Sequence, residues 1–296
     1  MNVTQLRSFN AVALSGSFAG AAKRLRRSQP TLSRQVSDLE LSYGVELFHR
    51  RGKTIELSAI GKKLLPITER LFSNSDQAQE LLKTASGLEI GHLRISAVNP
   101  IDIISITSAF SREYPSVTMS LTICNSEEAL NSLFNIRADV AMLAAENIDN
   151  RIRYIKFGSR PLVAYVSTAN ALSKKNAIDF HEIADQRVVI RERGSRTRKL
   201  FDEACNQAGF MPKVAKEINN RDAFRESIAQ GLGIGIIGDN GLIEDQRLKK
   251  IELRDCSVVM ERQIAHLQDR ADSRLIQAFM NVSQKVASSD ISRVFG

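Results

Sequence analysis

Two short stretches of this 296-residue chain concentrate side chains that could do chemistry. The first is Ser28-Gln29-Pro30-Thr31-Leu32-Ser33-Arg34, where hydroxyl, amide and guanidinium groups crowd one helical segment. Such short polar and forked cationic groups exchange hydrogen bonds with base edges in the major groove, and free N–H groups at a helix start favour a nearby phosphate. Gln29 and Arg34 are the strongest candidates for base contact, although a plain solvated face has the same composition. The second stretch runs from Arg191 to Arg198 as RERGSRTR. There Gly194, Ser195 and Thr197 open a predicted helix with Arg193, Arg196 and Arg198 nearby, a combination suited to a carboxylate, sulfate, phosphate or phosphonate. Simple capping of the helix by Ser195 is the alternative.

Catalytic patterns are not apparent. His49, His92, His181 and His266 lie far apart, and neither an H-E-x-x-H pair, a G-x-S-x-G elbow nor a phosphate-binding G-x-x-x-x-G-K-[ST] loop occurs. The glycine-rich run Gly231 to Gly238 reads as a turn feeding a buried strand, so no catalytic residue, metal ligand or cofactor is expected. Cys124, Cys205 and Cys256 are odd in number and widely spaced, which argues against a disulfide framework and leaves a redox-sensing thiol without support.

Charge is unevenly placed. Residues 1–63 hold 11 lysines and arginines against 4 aspartates and glutamates, whereas the remainder holds 30 against 29. Nearly all of the net +8 therefore belongs to the amino-terminal fifth, where it would attract a polyanion. The first residues show no basic segment followed by an apolar core, and no window approaches 18 apolar residues, so a cytoplasmic protein with no membrane partner is expected.

The elements that must position the first stretch are short helices. Leu6, Phe9 and Val12 recur at helical spacing before Gly16, predicting a helix over Thr4 to Ser15. Ser17 caps an alanine-rich helix from Phe18 to about Leu25, and Ser28 caps a third that places Pro30 in its first turn. Leu32, Val36, Leu39 and Tyr43 form that helix's apolar stripe up to Gly44, leaving Thr31, Ser33, Arg34, Ser37 and Asp38 outward. Next, Val45, Leu47 and Phe48 pin a segment in which His49, Arg50, Arg51 and Lys53 surround Gly52, the form of a basic hairpin able to lie along phosphates.

This stretch resembles the amino-terminal signature of LysR-type transcriptional regulators. Ala21-Ala22, Leu25, Ser28-Gln29, Ser33, Leu39-Glu40, Gly44, Leu47-Phe48, Arg50, Leu57 and Gly61 carry the resemblance in register. It departs at Ser58 and Ala59, where the family more often has Thr and a polar residue, which should perturb the exit from the hairpin. The resemblance implies a winged helix-turn-helix over residues 1–58 that binds double-stranded operator DNA through Ser28, Gln29, Pro30, Thr31, Ser33, Arg34, Arg50, Arg51 and Lys53.

From Ala59 to Ser86, Ile60, Leu64, Ile67, Leu71, Ala78 and Leu82 keep steps of three, four or seven, a coiled-coil-type stripe too long for the small amino-terminal module to bury. Pro66 is expected to kink it gently. The resemblance implies self-association through this helix as a homodimer or homotetramer, with residues 87–91 as a hinge.

Beyond residue 91, short apolar runs alternate with helical patterns, the signature of α/β units. LRISAV, a helix over Ile101 to Glu113, TMSLTI, a helix over Glu127 to Arg137 and ADVAMLAA form one set. PLVAYVS, RVVIRE, a helix over Thr197–Ala208, KVAKEI, a helix over Ala223–Gln230 and GIGII form another, before QIAHLQ and a last helix over Ser273 to Val286. The resemblance implies a two-lobed, periplasmic-binding-protein-like effector domain over residues 92–296, with one lobe at 92–161 and 267–296 and the other at 162–266. Ligands of open α/β sheets bind outside the carboxyl ends of strands. Three loops qualify, giving Asn99, Pro100 and Ile101, then Asn125 and Ser126, then Arg193, Gly194, Ser195, Arg196 and Thr197 as candidates for a small-molecule effector. Asp102 departs from the hydroxyl frequent in the family at the first helix start and leaves a zwitterionic ligand open. A solute-binding protein or enzyme carrying an accessory DNA-binding-like domain is the rival reading.

Overall fold

The computed structural model describes residues 2–51, 54–85, 91–145, 149–239, 242 and 244–294. They form two compact units, one up to residue 90 together with residues 135–137 and the other from residue 91 onward without those three. No described helix is long and apolar enough to cross a membrane.

In the amino-terminal unit, α1 (Val3–Ser15), α2 (Phe18–Leu25) and α3 (Gln29–Tyr43) precede the hairpin β1 (Phe48–Arg51) and β2 (Thr54–Leu57), and then α4 (Ala59–Ala85). The stops are those the sequence dictates. Gly16 and Gly44 take left-handed backbone at φ 63°, which glycine adopts without steric cost. The Ser17 hydroxyl accepts from the Gly20 N–H and the Ser28 hydroxyl from the Thr31 N–H. Phe9, Val12, Ala21, Leu32, Val36, Leu39, Leu47 and Phe48 make one buried cluster. Helix α4 continues through Pro66, and Ile60, Ile67, Leu71 and Leu82 of its stripe are exposed.

The larger unit opens with β3 (His92–Ala97), α5 (Pro100–Glu113), β4 (Thr118–Ile123), α6 (Ser126–Phe134) and β5 (Val140–Leu143). It continues through β6 (Ile152–Ser167), β7 (Ala177–Ile178), β8 (Arg187–Arg191), α7 (Arg196–Ala208), β9 (Lys213–Ile218), α8 (Arg221–Ala229) and β10 (Ile234–Gly238). The last elements are β11 (Leu248–Leu253), β12 (Val259–Leu267) and α9 (Arg274–Val294). Strand order is β4-β3-β5-β12-β6-β10-β8-β9, with β11 on the other edge of β6. The strands β3, β4 and β5 are mutually parallel, as are β8, β9 and β10, whereas β6 and β12 run antiparallel to their neighbours.

Several boundaries differ from the sequence expectation. Strand β6 begins at Ile152 rather than at Pro161, because Gly158 at φ 123° and Pro161 are accommodated where the strand passes between sheets instead of ending it. Helix α6 stops at Phe134 short of Arg137, because Ile136 turns into left-handed backbone at φ 53° without a glycine to announce it. Segment Gln263–Ala265 pairs with β5, so the return to the first lobe's sheet begins before residue 267. The proposed hinge at 87–91 lies outside the described residues except for Gly91.

Each lobe has its own core. Leu93, Ile95, Ile103, Phe110, Met142, Ile264 and Phe279 fill the first, and Leu162, Val166, Val188, Ile190, Leu200, Phe201 and Ile236 the second. Asp139 ties the first together. Its carboxylate accepts from the Arg94 backbone N–H at 2.8 Å, from Arg94 Nη2 at 2.7 Å and from Arg270 Nη1 at 2.5 Å. Burial opposes its ionisation, but the bonds and charge of Arg94, then the charge of Arg270, outweigh this and hold the carboxyl below its ordinary 3.8.

A folded pKa below the unfolded one means that this contribution is full above about pH 4 and is lost as acidification titrates the folded carboxylate. Asp139→Asn is expected to cost about 3–5 kcal/mol at neutral pH, because two arginines lose their counter-charge. It should also flatten the acid limb of a urea-denaturation stability profile. An unchanged acid limb would remove Asp139 from that role.

Candidate functional site

The amino-terminal surface is organised by what α3 buries. Leu32, Val36 and Leu39 are buried, and the same rotation exposes Gln29, Pro30, Thr31 and Arg34. Ser33 is only half-exposed. Arg34 makes no ion pair among the described residues, so its guanidinium stays available. Ser28 and Thr31 share a hydroxyl–hydroxyl bond of 2.7 Å, which orders the first turn while both remain on the surface. The hairpin is held to this helix by Glu40, whose Oε1 accepts from the Leu47 N–H at 2.7 Å and the Phe48 N–H at 3.2 Å.

Ser58 completes the hairpin's exit. Its hydroxyl donates to the Glu46 carbonyl at 2.6 Å and accepts from the Gly61 N–H at 3.0 Å, so the family's usual Thr is replaced without losing the cap. Gly61 is required here, because a Cβ would lie 2.2 Å from the Leu47 carbonyl oxygen. Arg50 and Arg51 lie on β1, whose register pairs Arg51 with Thr54. Gly52 and Lys53 lie outside the described residues.

In the larger unit a small cleft opens at the carboxyl ends of the strands. Cys124, Asn125 and Ser126 contribute from the β4–α6 turn. Arg191, Ser195, Arg196 and Thr197 contribute from the β8–α7 turn, and Arg221 from the start of α8. Val98, Ala144 and Met260 supply the apolar wall. Of the residues expected from sequence, the cleft thus gathers Asn125, Ser126, Ser195, Arg196 and Thr197. Ser195 occupies the N-cap position of α7 but its hydroxyl makes no capping bond, and it is buried together with Thr197. Capping therefore does not account for it.

The remaining expected residues have other places. Asn99 caps α5 by accepting from the Ile101 N–H at 3.0 Å and donates to Asp102 Oδ2 at 2.8 Å, while Pro100 starts that helix and Ile101 is exposed. None of the three lines the cleft, and neither does the exposed Arg193. Gly194 forms the lip. A Cβ there would meet the Asn125 side chain at 2.8–3.0 Å, and its carbonyl accepts from the Glu127 N–H at 3.3 Å, joining the α6 and α7 starts.

Arg191 and Arg221 are the cationic groups that sequence reading passed over. Arg191 is buried and gives two bonds to Glu192, at 2.9 and 3.0 Å. Burial, then the like charge of Arg191, lower the Arg221 guanidinium to about 10, against the partial offset of Asp102 and then Glu192. It therefore stays charged near neutrality. The available signal was a charge at the boundary of each of two elements: Arg191 closes the apolar VVIR run, and Arg221 opens α8 after the Asn220 cap.

Asp102, the departure from the family pattern, is matched internally. It forms a buried ion pair with Arg262 on β12 as well as accepting from Asn99. No free carboxylate remains there to receive an ammonium group.

The three cysteines are unpaired thiols. Burial, then the charge of Glu128, pushes Cys124 up to about 11, and burial, then Asp202, pushes Cys205 up to about 12. Burial likewise raises Cys256. All three stay protonated near neutrality, the form that is a poor nucleophile.

Comparison with known proteins follows the same division. Residues 3–62 match the family described as bacterial regulatory helix-turn-helix protein, lysR family, and residues 86–288 match the LysR substrate binding domain. The HTH-type transcriptional activator CmpR of Synechocystis sp. is 31% identical over 237 residues, covering 79% of this chain and 77% of that protein. A RuBisCO operon transcriptional regulator of Allochromatium vinosum is 24% identical over 94% of this chain and 93% of its own. Among solved structures, CbnR, a LysR family transcriptional regulator, superposes with a TM-score of 0.73 at 22% identity over 97% of this chain and 99% of that one. Full-length CbnR complexed with its target DNA gives 0.72 over 97% and 100%.

The tight lip makes a sharp substitution available. Gly194→Ala forces a methyl against the Asn125 amide, and overpacking of this kind costs about 1–3 kcal/mol. The expected readout is faster hydrogen exchange at the Glu127 amide, whose acceptor is pushed away. Unchanged protection would mean that the lip does not hold the cleft shut.

Proposed function

Because the chain belongs to the LysR family of bacterial regulatory helix-turn-helix proteins, we propose a specific division of labour among its residues. The protein is a DNA-binding transcription regulator of the LysR type, and its relatives carry the names of regulators rather than of enzymes. In this reading Gln29 and Arg34 read base edges in the major groove of double-stranded operator DNA. Ser28, Pro30, Thr31 and Ser33 set the close approach, while Arg50, Arg51 and Lys53 follow the phosphates. The observation that carries it is the exposed face of α3 with Arg34 in no ion pair among the described residues.

The effector reading is an anionic small molecule, of the carboxylate, phosphonate, phosphate or sulfate class, in the cleft between the lobes. Ser195 supports it most directly, since a buried hydroxyl at a helix start that does no capping sits beside Thr197, Arg191, Arg196 and Arg221. The pairing of Asp102 with Arg262 favours an anion over a zwitterion. Self-association as a homodimer or homotetramer would cover the exposed stripe of Ile60, Ile67, Leu71 and Leu82 on α4. The site of action is the cytoplasm, on chromosomal DNA.

Two experiments test these assignments. Arg34→Ala is expected to reduce the preference for a duplex selected from a random pool over unrelated duplex by roughly 1–3 kcal/mol, measured by fluorescence anisotropy. Equal loss on both would reduce Arg34 to a phosphate contact. Separately, sulfate, phosphate and short carboxylates are titrated into the full chain and the melting temperature is followed, since a ligand of the folded state raises it. Ser195→Ala combined with Thr197→Ala should abolish the shift, and an undiminished shift would exclude the site.

A further inference from the structure

The turn between α2 and α3 carries four cations, Lys23, Arg24, Arg26 and Arg27, to which the reading above gives no role. All four are exposed, and none makes an ion pair among the described residues. Lys23 and Arg24 lie in the last turn of α2, where the carbonyl end of the helix favours positive charge. That accounts for them without a ligand.

For Arg26 and Arg27 that account is incomplete. Arg26 is the residue that caps α2 and Arg27 follows it directly before Ser28, so the carbonyl end of α2, which favours positive charge, is opposed there by the electropositive start of α3. Arg26 also adopts left-handed backbone at φ 51°, a conformation that glycine or asparagine takes readily and other residues rarely. Its N–H closes α2 by donating to Lys23 at 3.3 Å, and the Arg27 N–H donates to the Ala22 carbonyl at 3.0 Å, so the backbone alone makes the turn. The guanidiniums contribute nothing to it. Two exposed guanidiniums that the turn does not use, one of them on left-handed backbone, stand directly before the proposed groove helix, where an anion from outside can reach both.

We propose that Arg26 and Arg27 clamp the phosphodiester backbone at the edge of the groove that α3 enters, fixing the helix's approach independently of sequence. The inference rests on α3 being the groove helix. Phosphate contacts position a protein without specifying bases, so both arginines act equally on every duplex. Each contact releases condensed counterion and adds about 0.9 to the slope of log K against log salt.

The test uses the full-length protein with a labelled random-sequence duplex and with a duplex selected by the protein itself, titrated between about 50 and 200 mM KCl. Arg26→Gly removes the cation while relieving the left-handed backbone, so its melting temperature should hold or rise. Arg27→Gln is the second variant. Each is expected to lower the salt slope by about 1 per engaged half-site and to weaken both duplexes by the same factor. A wild-type slope in both variants overturns the clamp, as does weakening confined to the selected duplex. Arg34→Ala measured alongside separates the two readings: lost discrimination there with wild-type slopes in Arg26→Gly and Arg27→Gln leaves α3 as the groove helix and removes only the clamp. A wild-type protein whose binding does not vary with salt would remove both.

Discussion

One long strand, β6, has to serve two sheets at once, and the point where it leaves its antiparallel partner β12 for the second sheet places a buried arginine that must find a counter-charge. Arg262 sits there, beside the register shift in the β12 pairing and opposite Gly158. Its guanidinium lies 5.2 Å from the Phe157 ring centroid and within 3.2 Å of where a Cβ on Gly158 would stand. Asp102 supplies the charge from the first turn of α5. A buried pair of this kind contributes little net stability but makes the loss of either partner costly, which fixes the geometry of the junction. The same carboxylate lies close enough to Arg221 to favour its charge, so the crossing of the strands and the floor of the cleft share one electrostatic arrangement.

The amino-terminal unit solves a different problem, that of keeping a polar helix face rigid while leaving it bare. Its apolar contacts all lie on the opposite side, through Leu32, Val36 and Leu39, and its carboxyl end is tied to the hairpin by Glu40. Phe48 reaches back into the core against Phe9 at 5.4 Å and Phe18 at 6.1 Å between ring centroids. The hairpin's position is therefore set by packing and one carboxylate.

What could be read in the sequence was what is decided locally. Caps and stops at Gly16, Ser17, Ser28 and Gly44 act within one turn, so their residue types suffice to place α1, α2 and α3. Strand β6 was foreshortened because Gly158 and Pro161 carry the same local signature whether a strand ends or merely crosses between sheets. Asn99 looked like a ligand group and is a cap with a carboxylate partner, a distinction that depends on Asp102 and, through it, on Arg262 far along the chain. Arg191 and Arg221 belong to the cleft only because β8 pairs with β9, which brings the α8 start beside the α7 start. No local pattern carries that pairing.

The cleft's donors are divided between the lobes, and that division determines what an anion held there would do. Cys124, Asn125 and Ser126 come from the first lobe and Arg191, Ser195, Thr197 and Arg221 from the second. A ligand touching both sets binds the closed arrangement more tightly than any open one, and it can shift the equilibrium only by that difference in affinity. Without it, the charge of Arg191 disfavours that of Arg221. An anion between them would turn that repulsion into attraction, beside the Gly194–Glu127 contact that already joins the two lobes. Charge inside the cleft and contact at its lip thus favour the same state, which makes closure of the lobes, rather than any rearrangement of their cores, the signal such a ligand would send.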